Sequence, residues 1–334
     1  MSTHKAILLH SREEPHKLET VPRPVAQTGE AVVRILAADI VPYMSQVLDG
    51  TRPYPLSLPM APSNTAIGRI HEVGPDAVEL TPGQLVYCDI TIRARDNPSN
   101  LFPLNEQLLV SEMEYPLSDL CLMPVCLVPF GGLSEVDVKL GETVIVASAT
   151  GRYGGAAVAV VLAMGATVVA AGRNQHALDS LAAMYASTRP LRTIRLTEDV
   201  SQNTANFKKA VRNPQGADVY IDFSPPEAAN GLLLTSAIVA LRPFGRCVIM
   251  GGSLGNIDVP YLEVMFKSLR LQGRFMYDRQ HTLRLISMVE SGLLRLGAAI
   301  GINQVEEFGL ESIDEALQAA GRLTGWGSHV VLKP

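Results

Sequence analysis

Cysteine is scarce in this chain: Cys88, Cys121, Cys126 and Cys247 are the only four among 334 residues, and they are scattered. That excludes a disulfide framework and fits reduced thiols. An excess of one charge is missing too. The formal net charge of -5 and a sequence pI near 5.8 supply no overall electrostatic drive towards nucleic acid or an anionic membrane. No apolar stretch reaches the roughly 18 uninterrupted residues of a spanning helix, and Met1 to His10 lacks a cationic start followed by a long apolar segment. The expectation is a cytoplasmic protein with no nucleic-acid or membrane partner. Repeats, low-complexity tracts and charge blocks are also absent. With 47% hydrophobic residues, a chain of this length can bury a large core and divide into about two domains.

The segment from Glu142 to Asn174 carries the most information. Thr143 to Ala147 (TVIVA) is a β-branched apolar run suited to a strand buried on both faces of a parallel sheet. Ala149, Gly151 and Gly154 then occupy the three small positions of G-x-G-x-x-G, with Thr150, Arg152 and Tyr153 between them. Ala156 to Met164 continues as a helix, and Thr167 to Ala171 as a second strand. Small residues let the backbone approach a pyrophosphate, and the first-turn N–H groups of the helix can receive its oxygens. A tight glycine turn with no ligand would contain the same glycines; the flanking strand and helix favour a dinucleotide. Tyr153 either stacks over the diphosphate or packs beneath it.

The end of the second strand discriminates between cofactors. An NAD-selective site places Asp or Glu there for the ribose hydroxyls, whereas this chain has Gly172, Arg173 and Asn174. Gly172 leaves room, Arg173 offers a planar permanent cation to a 2′-phosphate, and Asn174 a neutral donor. The expected cofactor is NADP(H). An ordinary solvated arginine is the competing reading.

The first hundred residues have a different texture. Lys5–Leu9, Glu30–Ala37, Ala66–Val73 and Leu85–Ile90 read as short strands separated by proline and glycine turns, which predicts a compact β domain. From Leu140 strand and helix alternate, with strands at Val219–Phe223 and Cys247–Gly251, a helix over Pro226–Leu241 and a strand at Leu269–Phe275. Helices at Arg279–Glu290 and Ser312–Gly321 and a strand at Ser328–Leu332 complete the pattern. In such a sheet the ligand lies across the carboxyl ends of the strands, so Phe223, Ser224, Gly252 and Ser253 are expected beside the nicotinamide. Ordinary loop structure accounts equally for each of them singly.

KAILLH, TGEAVVRI, Gly68 to Gly74 (GRIHEVG), Pro82-Gly83, Leu140 to Val144 (LGETV) and the glycine turn together resemble the medium-chain dehydrogenase/reductase superfamily, over nearly the whole chain. The resemblance implies an α/β fold, a Rossmann doubly wound parallel sheet plus a GroES-like β domain. Its divisions would be 1–120 and 273–334 for the catalytic domain and 121–272 for the nucleotide domain, with the active site in the cleft. It also implies hydride transfer, and it brings Phe275 and Met276 towards the nicotinamide. Relatives dimerise through the last Rossmann strand, which makes Val259 to Gly273 the expected contact of a homodimer; the same residues could instead serve only the monomer core.

Departures from the family pattern bear on the chemistry. The G-H-E-x-x-G motif of zinc-dependent members is replaced by Ser63-Asn64-Thr65-Ala66-Ile67-Gly68, so Asn64 stands at a histidine ligand position. The early cysteine position falls among Ile40 to Pro42, and the nearby acid is replaced by Met44. Cys126 lies near the remaining ligand position, but one thiolate cannot build a three-ligand site, and a small buried residue or pocket wall is the plainer role. The four-cysteine structural lobe is missing as well: Arg93 to Pro103 carries no cysteine. The expectation is an enzyme without zinc.

Without a Lewis acid, developing charge must be met by hydrogen-bond donors, which favours conjugate hydride addition to an enone, quinone or enoyl thioester. By resemblance Tyr54 is the first candidate proton donor and Tyr43 the second, while Asn64 and Thr65 can bind the substrate oxygen. Each has a structural alternative, Tyr54 as a lid over the core and Asn64 as the closure of a turn. His71, on an alternating strand, is read as solvent-exposed. Metal-free reduction of a ketone, aldehyde or imine, or a non-redox isomerisation or cyclisation, remains open beside the leading reading.

Overall fold

The computed structural model describes residues 2–62, 64–90, 101–186, 191–225, 232–252 and 256–334. The chain forms two compact units, Met1–Pro124 with Ile302–Pro334, and Val125–Gly301.

In the first unit, β1 (Thr3–Leu8) and β2 (Lys17–Pro22) form an antiparallel ribbon. There follow β3 (Ala31–Asp39), the short helix α1 (Met44–Leu48), β4 (Ala66–Val73), β5 (Leu85–Cys88), β6 (Leu101–Pro103) and α2 (Leu117–Leu120). The boundary between units falls in α3 (Met123–Glu135).

The second unit contains β7 (Thr143–Ala147), α4 (Arg152–Ala163), β8 (Thr167–Gly172), α5 (Gln175–Met184), β9 (Arg192–Arg195) and α6 (Val200–Ala210). It continues with β10 (Ala217–Asp222), α7 (Leu232–Val239), β11 (Leu241–Ile249), α8 (Tyr261–Phe266), β12 (Arg270–Gly273) and α9 (Arg279–Glu290). The chain then returns to the first unit with β13 (Gln304–Phe308), α10 (Ile313–Arg322) and β14 (Ser328–Leu332).

The larger sheet of the first unit runs β13-β14-β3-β4-β5-β6 and is antiparallel except for the β13/β14 pair. Helix α10 covers it because Ile313, Ala316, Leu317 and Ala320 recur at helical spacing on one face and pack with Ile7, Ile40, Met44 and Leu332. Burying each large aliphatic side chain contributes about 1.5–3 kcal/mol. This core also fixes the end of β3. Asp39 N donates to Thr65 O at 3.1 Å, and Ile40 N to Val330 O at 3.1 Å, which wedges that end between β4 and β14.

The sheet of the second unit is entirely parallel, in the order β12-β11-β10-β7-β8-β9. All five residues of β7 are buried, as the apolar run predicts for a strand covered on both faces. Strand order reverses between β7 and β10, the switch point at which doubly wound sheets hold ligands.

Two expectations need correction, the return to the first unit and the start of a strand. The return to the first unit comes at Ile302 instead of 273, because the intervening residues pack within the second unit. Phe130 meets the His281 ring edge-on at 6.1 Å, and a Cβ on Gly131 would lie 2.7 Å from Met276 O. Strand β11 starts at Leu241, six residues before the expected Cys247. The helix expected over 226–241 is observed as Leu232–Val239, and 226–231 lie outside the described residues. The helical stretch Leu117–Glu135 is long and apolar enough to cross a membrane by length and composition, although most of it is buried in the protein. Ser118, Asp119 and Ser134 interrupt its apolar run, so a count of consecutive apolar residues passes over it.

Candidate active-site residues

The glycine turn sits at the carboxyl end of β7. Ala149 N donates to Ala171 O at 2.8 Å, tying the turn to β8. Helix α4 begins at Arg152, four residues before the expected start, so Arg152, Tyr153 and Gly154 form its first turn. Its N-cap is Gly151, which has no side chain with which to cap it. First-turn N–H groups lack intrahelical acceptors and carry partial positive charge, so an anion is the complementary ligand. Gly154 serves a different purpose: a Cβ there would lie 1.9 Å from Ser148 O, so only glycine lets α4 approach the turn. At Gly151 the nearest atom would be 3.5 Å away, which leaves that face of the turn open. These features fit a dinucleotide pyrophosphate.

Gly172 is buried, with Thr150 Oγ1 3.3 Å from where a Cβ would stand, while Arg173 and Asn174 are exposed. Asn174 is partly committed elsewhere: its side-chain oxygen accepts from Ala177 N at 3.2 Å and caps α5, leaving the amide nitrogen as the donor. One cation here was missed in the sequence. Arg195 stands opposite Gly172 in the parallel β8/β9 register and is exposed, so two guanidinium groups flank one strand end. Nothing in the sequence announces that neighbour, because the register depends on tertiary pairing.

Across the switch point, Phe223 N donates to Ala147 O at 2.8 Å, and the Phe223 ring stacks on Tyr153 with centroids 6.2 Å apart. Asp222 organises this strand end. Its Oδ1 accepts from Tyr220 Oη at 2.7 Å and from Ser224 Oγ at 2.6 Å. Burial, reinforced by the Asp222 charge, holds the Tyr220 hydroxyl protonated well above its ordinary pKa. Gly252 N donates to Ser224 O at 2.9 Å, bringing two of the expected cofactor contacts together; Ser253 lies outside the described residues. Phe275 is 87% exposed, and Met276 adopts a left-handed backbone with φ of 55°.

In the first unit, Asp39 is the organising group that the sequence did not signal. It is 1% exposed, with Oδ1 3.5 Å from His329 Nδ1 and Oδ2 3.5 Å from Asn64 Nδ2. Asn64, at the ligand position of zinc-dependent relatives, therefore turns its amide towards a carboxylate. Thr65 is buried, and its hydroxyl has no partner among the described residues. Tyr43 is half-buried at the start of α1, and Tyr54 is 40% exposed in the following loop. His71 is exposed, as the alternation implies.

The described donor set does not build a catalytic zinc site. Among the described residues no three His, Cys, Asp or Glu side chains converge. Burial pushes the Cys126 thiol up to about 12, against an opposing pull from Arg152, and burial with the Asp39 charge also raises Cys121. Most of the cysteine-free Arg93 to Pro103 segment, like Ser63, lies outside the described residues.

A six-stranded parallel sheet with its glycine turn at the switch point, in a chain that also carries a separate antiparallel β unit, defines a dinucleotide-binding α/β protein. Residues 154–291, less than half of the chain, match the family described as zinc-binding dehydrogenase. YfmJ of Bacillus subtilis (strain 168), a candidate NADP-dependent oxidoreductase, is 27% identical over 254 residues, 71% of this chain and 66% of that protein. The match thus spans just under two thirds of that relative. Among solved structures, AibC superposes with a TM-score of 0.77 at 18% identity, covering 99% of this chain and 96% of its own. A candidate zinc-binding dehydrogenase from Sinorhizobium meliloti 1021, bound to NADP, superposes with a TM-score of 0.75 at 16% identity and covers 100% of both chains. The chain has the fold of these solved structures, and its second unit carries the family match. The segment that matches the zinc-binding family lies wholly within the second unit, whereas Asn64 and Asp39 lie in the first.

Proposed function

We propose that this protein is an NADP(H)-dependent oxidoreductase that works without zinc and reduces the activated C=C bond of a small enone, quinone or enoyl-type molecule. The observation that carries the cofactor choice is the end of β8, where Gly172 replaces the ribose-binding acid and Arg173 and Arg195 supply two cations. The relative named for NADP supports the same choice. Bound NADPH supplies a hydride. The uncapped first turn of α4 holds the pyrophosphate, and the stacked Tyr153 and Phe223 rings wall the switch point.

For the substrate, the support is the donor set around Asn64 and Tyr54. Hydride addition to the β-carbon moves an electron pair onto the carbonyl oxygen as an enolate, and a proton then arrives on the α-carbon. Asn64 Nδ2 and the Tyr54 hydroxyl are neutral donors of the kind that stabilises such an oxygen, and Tyr54 or water supplies the proton.

Purified protein should oxidise NADPH in the presence of enones or quinones and contain well under one zinc per chain by metal analysis. Turnover confined to aldehydes would move the activity to carbonyl reduction. One tightly held zinc per chain would overturn the metal-free mechanism.

We also propose a homodimer. Strand β12 is an edge of the parallel sheet, and α8 just before it buries none of its residues, leaving Tyr261, Leu262 and Phe266 exposed. An open edge beside apolar side chains suits self-pairing about a two-fold axis. Sedimentation equilibrium should give twice the 35.9 kDa chain mass, and a monomer at micromolar concentration would reject this contact.

A further inference from the structure

The loop after α1 contains a cation that none of the chemistry above uses. Arg52 is half-buried, with its guanidinium carbon 4.0 Å from the centre of the Tyr43 ring and 5.7 Å from that of Tyr54. Other contacts fix the loop around it. Arg52 N donates to Gln46 O at 2.7 Å, and Tyr54 N to Arg52 O at 2.8 Å. Arg12 Nη2 donates to Tyr54 O, and the Arg12 side chain lies against Gly50, whose φ of 82° makes the turn. The acid within the loop, Asp49, accepts from Thr51 N at 2.8 Å, and hydrogen bonds from the Thr51 hydroxyl and then its backbone N–H lower its pKa. Among the described residues no carboxylate pairs with Arg52, and none accepts a hydrogen bond from its guanidinium.

Stacking occupies the faces of a guanidinium and leaves its five in-plane N–H donors available. A half-buried cation beside two tyrosine rings, without a protein anion, is placed to meet a planar oxyanion. We propose that Arg52 binds an oxyanion of the substrate, so that the preferred substrate carries a carboxylate or phosphate in addition to its conjugated carbonyl. This deepens the reductase reading and rests on it. Tyr43 and Tyr54, expected above to act as proton donors, gain a second role in orienting Arg52.

The test compares a 4-oxo-2-alkenoic acid with its methyl ester, each with NADPH, for the wild-type protein, Arg52→Gln and Arg52→Lys. The acid should exceed the ester in kcat/KM by roughly tenfold to a hundredfold, the range for a hydrogen bond to a charged group. That ratio should fall to near one in Arg52→Gln, mainly through KM, and recover partly in Arg52→Lys, which keeps the charge without the bidentate edge. An unchanged ratio in Arg52→Gln overturns the proposal. If Arg52→Gln does not fold, Arg52→Lys decides on the same ratio.

Calorimetric titration with glutarate and with inorganic phosphate gives a readout that does not need turnover. Binding that is lost in Arg52→Gln supports the oxyanion site even if no enone is reduced, which would reject only the reductase reading. Equal binding by both proteins, or none by either, overturns the site. Tighter glutarate identifies the natural group as a carboxylate, and tighter phosphate as a phosphate ester.

Discussion

Gly154→Ala should lose about 3 kcal/mol or more of unfolding free energy, a large effect for one methyl group. The added Cβ would lie 1.9 Å from Ser148 O, 2.7 Å from Ser148 C and 2.9 Å from Ala149 Cα. All three atoms are backbone, so no rotamer relieves the clash and α4 must move off the turn. Nearly every residue of α4 is buried, and that displacement disturbs its packing along β7 and β8. Gly151→Ala is the discriminating companion. There the nearest atom would be 3.5 Å away and φ is -81°, so stability should change by no more than about 0.5 kcal/mol. Its methyl group would nevertheless project where a pyrophosphate has to approach, and NADPH affinity should fall. Urea denaturation followed by circular dichroism, together with NADPH titration, separates the two glycines. Equal stability of both variants would contradict the division of labour between close packing at Gly154 and ligand approach at Gly151.

That division was only half legible in the sequence. The spacing of Ala149, Gly151 and Gly154 marks a small-residue turn, but which small residue admits the helix and which admits the ligand depends on where Ser148 O points. Elements whose signal is local are legible to the residue: β4, β7, α9 and β14 each carry an alternating, apolar or helical pattern bounded by turns or caps. Elements that contradict local preference were not. Helix α3 contains Pro129, which reads as a break and survives only within a buried segment. Strand β11 begins in Leu241-Arg242-Pro243-Phe244-Gly245, a run that looks like a turn, and Phe244 indeed has a φ of 60°. What holds its start in the sheet is non-local: Arg242 Nε meets Asp218 Oδ1 at 2.5 Å, and Arg246 pairs with Glu142.

The same distinction separates the candidate residues. Asn64 could be marked because it replaces a histidine in a recognisable motif, and Arg173 because it follows a strand that should end in an acid. Asp39 closes β3 after two alanines, and its neighbour His329 lies on β14, so their proximity exists only after β3 pairs with β14. Arg195 and Arg52 are ordinary arginines in sequence. The first becomes a candidate through a parallel register, the second through two tyrosine rings centred 4.0 and 5.7 Å from its guanidinium carbon.

For Arg173→Ala the expected result is a dissociation constant for NADPH about 30-fold weaker, with NADH changed by less than about twofold; 30-fold corresponds to about 2 kcal/mol. A 2′-phosphate is the only group that distinguishes the two cofactors, so a residue that reads it must affect one and spare the other. The charge-assisted bond sets the upper end of the effect, and exposure of Arg173 lowers it through solvent and salt screening. The discrimination should accordingly shrink between low and physiological ionic strength. Arg195→Ala should act in the same direction but less strongly, because its strand position is level with Gly172 and not one residue beyond it. If both cations share the phosphate, the double variant should cost less than the sum of the singles, since each removes part of one interaction. Equal weakening of NADPH and NADH by Arg173→Ala would remove the phosphate role, because a contact common to both cofactors must lie at the pyrophosphate or ribose. Full additivity of the two variants would mean that the cations act independently and do not share one phosphate.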